Sequence, residues 1–233
     1  ENIILLLSLL ITTGVISAGL WWLFSQRQTP NIADGNPAKI AVTNAVASDP
    51  STGGKILFQR ELNPEKQAAA KAIAEENYPE AESLLKQSLN KQHNDHEALN
   101  YLNNAQIGNR QAYGIAVPVP IGTEETSAKE ILRGVAQAQS EINQQGGINN
   151  IHLKVLIVND NNDSQTAKQV AQELVKNQDV LGVVGHFSSG VTLATAPIYE
   201  QNKLVAISPS STSIAISDAG EYIFRTVPSD RFT

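Results

Sequence analysis

Val180-Leu181-Gly182-Val183-Val184-Gly185-His186-Phe187-Ser188-Ser189-Gly190 is the stretch on which the reading of this chain turns. Residues 180–185 are β-branched and nearly all apolar, as a strand buried on both faces of a parallel sheet must be. Ser188, Ser189 and Gly190 then lead into a helical pattern over residues 191–200. Serine ahead of a helix is a preferred N-cap, and capping accounts for one of the two hydroxyls. It does not require the second, nor Gly190, whose missing side chain leaves the first amides open to a carboxylate.

The same grammar extends on both sides. Residues 113–119 read as a strand, and residues 127–144 as a helix opened by Thr126 or Ser127 and closed by Gly146-Gly147. Residues 151–159 alternate as a strand, and Asp163 is placed to cap a helix over 164–176. Residues 204–208 repeat the buried-strand character, and 222–226 begin another strand. Strands separated by helices of this length give right-handed βαβ units. The expected fold class is therefore α/β, with a doubly wound, mostly parallel sheet.

The strand at 204–208 also ends in hydroxyls: Ser208-Pro209-Ser210-Ser211-Thr212. Alone this is a polar turn after a proline. Two such turns at adjacent strand ends, where open α/β sheets hold their ligands, point to binding of a small charged molecule rather than to catalysis. Ser188, Ser189, Ser210, Ser211 and Thr212 are the candidate ligand-binding residues.

Composition excludes several alternatives. The 233 residues carry a formal charge of −6, and the 17 Lys and Arg are scattered, so no basic stripe exists for a nucleic-acid partner. With no Cys, disulfides and thiolate metal sites are ruled out. Residues 182–185 lack the G-x-G-x-x-G turn of dinucleotide sites, and no cofactor is expected. His93, His96, His152 and His186 are the four histidines, and none stands in a G-x-S-x-G elbow. His186 beside the serines reads as a hydrogen-bonded strand-end residue, while His93 and His96 have only Asp95 near them, too little for a metal. The chain does not read as an enzyme.

Upstream, residues 3–24 are almost wholly apolar, long enough to span a bilayer, with Trp21, Trp22 and Arg27 at the downstream end as interfacial anchors. A transmembrane anchor is expected over 3–24 in preference to a cleaved signal peptide, followed by a flexible linker over 25–60. The first residue is Glu1, no Met is present, and the sequence reads as cut at both ends. Ala and Leu then recur at helical spacing over 64–76, 79–91 and 95–107. In residues 61–109, Ala74, Tyr78, Ala81, Leu85, Leu89, Ala98, Leu99 and Leu102 resemble a tetratricopeptide repeat, with Asp95 where the proline ahead of the next repeat is usual. One and a half repeats cannot bury a stack of their own, so this segment reads either as a peptide-docking surface or as a helical spacer packed on the next domain.

Five stretches in order carry a more specific likeness: Gly146-Gly147-Ile148; Val184-Gly185-His186-Phe187-Ser188-Ser189; Ile198-Tyr199-Glu200; Ile207-Ser208-Pro209-Ser210-Ser211-Thr212; and Phe224-Arg225-Thr226-Val227-Pro228-Ser229-Asp230. With them, residues 112–233 resemble the first lobe of the branched-chain amino-acid-binding family, the type 1 periplasmic binding proteins that deliver ligands to ABC transporters. The resemblance implies a receptor for an amino acid or similar zwitterion with an ABC permease as partner, and with the anchor read over 3–24 it is expected to be membrane-anchored and extracytoplasmic. It also implies that Ser189 and Thr212 hold the carboxylate, that the ammonium meets a carbonyl at Ser210, and that Asp230 is an acid near the hinge. A membrane-tethered sensor on the same fold is the alternative. The paired acids in residues 121–126 depart from the family and suggest a cleft mouth that favours a cationic or polar substrate. The acid and aromatics of a second lobe are absent from this sequence, so specificity is not assigned.

Overall fold

Along β1 (Ala112–Val119) and β2 (His152–Asn159), successive side chains divide between two apolar layers. Val117, Val119, Val155 and Ile157 point to one, and Ala116, Leu156 and Val158 to the other, the period of two that a pleated strand imposes. β3 (Val180–Val184), β4 (Ala206–Ser208) and β5 (Ile223–Arg225) complete a five-stranded sheet in the order β2-β1-β3-β4-β5, with every pairing parallel. These features come from a computed structural model that describes residues 50–232. The expected anchor over 3–24 and most of the expected linker lie outside the described residues; among those described, no helix is long and apolar enough to cross a membrane.

Three helices precede the sheet: α1 (Pro64–Ala74), α2 (Tyr78–Lys91) and α3 (His96–Ile107). Three more follow strands: α4 (Glu125–Gln144), α5 (Ser164–Leu174) and α6 (Ser189–Gln201). α3 and α4 bury Ala98, Tyr101, Leu102, Ala128 and Leu132 on one face, while α5 and α6 bury Val170, Leu174, Ala196 and Tyr199 on the other. Helices thus cover both faces, each fully buried Leu contributing about 1.5–3 kcal/mol.

Several boundaries differ from the sequence reading. α4 begins two residues early, at Glu125 rather than Ser127, with no side-chain cap on Glu124. Asp163 does cap α5, accepting from Thr166 N at 2.8 Å, and Gly146 and Gly147, with φ of 93° and 83°, end α4 as glycine must. The linker boundary at 60 is corrected, because its end is folded. Ser51 N donates to Ile157 O at 2.8 Å and Ile157 N to Ser51 O at 2.9 Å, a single antiparallel rung on β2, and Phe58 is buried.

The helical segment is continuous with the α/β core. Asn104 of α3 offers its amide to β2 as another strand would, taking Val155 N at 3.0 Å and giving to Val155 O at 2.7 Å. Lys66 Nζ is buried between Asp95 Oδ2 and Glu97 Oε2, both at 2.7 Å. Asp95, standing where a proline was expected, also caps α3 by accepting from Ala98 N at 2.9 Å. Glu97 in turn accepts from Leu57 N at 2.6 Å, which ties the ion cluster to the strap before α1.

Candidate ligand-binding site

The strand order reverses between β1 and β3, and in open α/β sheets the carboxyl ends of the strands at such a reversal are where ligands are held. Four loops meet at that rim. Those after β1 and β2 are joined by Ile121 N to Asn159 Oδ1 at 3.0 Å and by Thr123 Oγ1 to Asn161 O at 3.0 Å. The loop after β2 reaches the loop after β3 through Ser188 Oγ, which donates to Asn162 Oδ1 at 2.6 Å.

Ser188 is the N-cap residue of α6 in extended backbone, yet no side chain caps this helix, because its hydroxyl is turned to Asn162. The capping explanation for Ser188 is thereby corrected: a neighbouring amide draws the hydroxyl away from the helix amides. A Cβ added at Gly190 would meet nothing within 4 Å, so the first turn of α6 faces open space. An uncapped helix start presents N–H groups and the positive end of the dipole to an anion.

Ser189 and Ser210 are half-buried at the same place. Ser189 Oγ accepts from Ser213 N at 3.3 Å, and Ser210 Oγ donates to Phe187 O at 2.6 Å, which links the loops after β3 and β4. Thr212 is exposed; its carbonyl accepts from Asp230 N at 2.9 Å and from Arg225 Nη1 at 3.3 Å. Asp230 is exposed at the start of a short 3-10 turn on the outer rim. Ser211 differs from the other four hydroxyls. It is 1% exposed, with Oγ bonded to Ser208 Oγ at 2.7 Å and Thr192 Oγ1 at 2.9 Å, so its hydroxyl faces inward and cannot meet a ligand. The reading of Ser211 as a ligand contact is corrected on that ground.

Of the paired acids after β1, one is engaged within the fold. Glu125 lies 2.8 Å from Lys129 and 3.5 Å from Arg60, and the bond from Lys129 holds its carboxyl below the usual range. Glu125 is thus engaged by Lys129, which also pairs with Glu61, while Glu124 remains exposed beside it.

Sequence reasoning missed Asn162, Asp160, Tyr199, Ser208 and Thr192. The cluster Asn159-Asp160-Asn161-Asn162-Asp163 was the available signal, since side chains that bond backbone collect at strand-end turns. His186 is fully buried, with Nδ1 2.6 Å from Asp160 Oδ2 and Nε2 2.9 Å from Tyr199 Oη. Both ring nitrogens are engaged, so the imidazole has none left to activate a serine. A hollow of about 150 Å³ lined by Asn103, Gln106, Ser140 and Asn143 lies at the opposite end of the sheet, where His152 begins β2. Among the described residues, no three His, Asp or Glu converge as a metal site.

Comparison with known proteins places the chain among relatives of one kind. An amino acid binding protein of Pseudomonas aeruginosa is 33% identical over 107 residues, 46% of this chain and 28% of the relative. The Leu/Ile/Val-binding protein homolog 1 of Brucella abortus is 33% identical over 118 residues, 50% of this chain and 31% of that protein. The chain thus spans about a third of the length of these curated relatives. A solved structure from Rhodospirillum rubrum, provisionally named a branched-chain amino acid ABC transporter, shares the fold with a TM-score of 0.50 at 21% identity, over 51% of this chain and 34% of its own. The coatomer epsilon subunit model matches residues 58–111, the three leading helices, which is less than a quarter of the chain. The periplasmic binding protein model matches residues 115–231, just over half of the chain and all of the sheet but the first three residues of β1, with its serine turns. By sheet order, strand-end hydroxyls and that match together, the chain belongs to the periplasmic binding protein family, a family of binding proteins and not of enzymes.

Proposed function

We propose that this chain is the ligand-binding part of a membrane-anchored, extracytoplasmic receptor that serves an ABC transporter and takes an amino acid or similar small zwitterion. The observation that carries this reading is the meeting of Ser188, Ser189, Ser210 and Thr212 at the ends of β3 and β4, beside a helix start that no side chain caps. A carboxylate placed there accepts from Ser189, Thr212 and the first amides of α6, and needs no formal positive charge as partner. The ammonium meets the carbonyl of Ser210 and the hydroxyl oxygen of Thr212. Ser211 holds the turn from within, and Asp230 stands at the rim. The names of the two curated relatives, one for amino acids and one for Leu, Ile and Val, support this class of ligand.

In this reading residues 3–24 are the anchor, the stretch to residue 49 is the tether, and an ABC permease is the partner. The helices of 61–109 belong with the lobe of 112–233, which supplies one wall of a cleft. A sensor is the second reading. It is favoured by the core that α3 shares with β1 and β2, through which a change at the site would reach a helical surface. Neighbouring permease and ATPase genes fit transport, and a neighbouring kinase gene fits sensing.

Calorimetric titration of the full-length protein with a panel of amino acids and sugars tests the proposal. Saturable binding of one or a few α-amino acids is expected. Heat from sugars alone, or from no member of the panel, contradicts it.

A further inference from the structure

Behind the hydroxyl turns runs a chain of three buried polar side chains drawn from three elements. Asp160 stands just past β2, His186 just past β3 and Tyr199 near the end of α6; they are 0%, 0% and 1% exposed. His186 links the other two, by 2.6 Å to Asp160 and 2.9 Å to Tyr199, and its ring stacks on the phenol with centroids 5.9 Å apart. Burial, and then the Asp160 charge, push the Tyr199 phenol well above its ordinary pKa, so it keeps its proton. In the Nδ1–H tautomer of His186, Tyr199 O–H donates to Nε2 and Nδ1–H donates to the Asp160 carboxylate. Both bonds run toward Asp160, and each strengthens the other.

The backbone of His186 is fixed as closely as its ring. Its carbonyl accepts from Ser208 Oγ at 2.7 Å and Thr192 Oγ1 at 3.4 Å, and Gly185 N donates to Ile207 O at 3.0 Å. The loops after β2, β3 and β4 and the body of α6 are thus all referred to one residue, two positions ahead of Ser188. Apolar side chains would fill this space without the penalty of desolvating a carboxylate. What a polar chain adds is direction, because hydrogen bonds fix ring rotation where packing alone leaves alternatives.

We propose that Asp160, His186 and Tyr199 are positioning residues for the carboxylate shelf. Through the path of residues 186–189 they set the orientation in which Ser189 and the first amides of α6 meet a ligand. As regards the ligand, this rests on the receptor reading above.

The test uses two conservative variants of the full-length protein. Tyr199→Phe removes only the phenolic oxygen, and His186→Asn keeps a donor toward Asp160 while dropping the acceptor for Tyr199. Each is titrated with L-leucine and L-isoleucine by calorimetry, and the amide resonances of residues 188–191 are recorded without ligand. The expected result is displaced amide resonances and roughly 5- to 20-fold weaker binding, as the loss of one buried hydrogen bond implies. A packing role alone would lower the thermal midpoint without either change. Unmoved amides, with affinity within about twofold of wild type where wild type binds, overturn the proposal. Should wild type bind neither amino acid while Tyr199→Phe still displaces the amides, the receptor reading falls and the brace stands. If His186→Asn does not fold, Tyr199→Phe decides alone.

Discussion

The hydroxyl of Ser188 donates to Oδ1 of Asn162 at 2.6 Å, so the residue best placed to cap α6 leaves that helix start open. Asn162 has a φ of 50°, a conformation open to glycine and asparagine but strained for β-branched residues. Asn162→Gly removes only the amide, and a stability loss of about 1 kcal/mol is expected. Asn162→Val adds backbone strain and should lose 1–3 kcal/mol more. Urea unfolding of the two variants measures the difference; equal losses contradict the backbone account.

Two glycines should respond in opposite ways to alanine. At Gly147, with φ of 83°, a Cβ would lie 2.2 Å from Ile151 O, so Gly147→Ala should destabilise by at least about 1–2 kcal/mol. At Gly190 a Cβ meets open space inside α6, where alanine is the better helix former. Gly190→Ala should leave the thermal midpoint unchanged or raised while weakening amino-acid binding, since its methyl stands where the carboxylate approaches. Thermal scans paired with calorimetry separate the two effects.

Lys66 Nζ bridges Asp95 and Glu97 at a site where all three side chains are no more than 1% exposed. Lys66→Met leaves two buried carboxylates without a cation, and a loss of about 3–5 kcal/mol is expected from denaturant titration. A loss under about 1 kcal/mol would mean that water reaches the cluster.

Asp163 is held below its ordinary value near 3.8, first by the Thr166 amide and then by the Thr166 hydroxyl. A depressed folded-state pKa contributes stability above the unfolded value and loses it as pH falls through the folded one. Asp163→Asn keeps a good cap but cannot titrate there. The variant should therefore lose less stability than wild type on acidification below about pH 4, with little difference in slope near neutrality. Unfolding midpoints measured across acid pH check this, and parallel acid limbs contradict it.

The sheet was legible because its strands are written in local residue chemistry. The run Val180–Val184 does form a parallel strand followed by the serine turns, although Leu181, read as buried, is 54% exposed. What escaped reading depends on partners far along the chain. Nothing in the Gly- and Ser-rich stretch around Ser51 announces a rung on Ile157, since that pairing uses only backbone. The amide of Asn104 gives no sign from its neighbours that it completes the edge of β2. Ser211 and Thr212 are adjacent and chemically alike, yet one hydroxyl points into the core and the other outward, a choice made by Thr192 and Ser208 across the loop.

Calorimetry of the full-length protein carrying Ser189→Ala together with Thr212→Ala, titrated with the amino acid that wild type binds best, tests the central claim most directly. Two charge-assisted hydrogen bonds are each worth roughly 1.5–3 kcal/mol, so binding should weaken by about two to four powers of ten with the fold intact. Unchanged affinity in that double variant would mean that the carboxylate docks elsewhere.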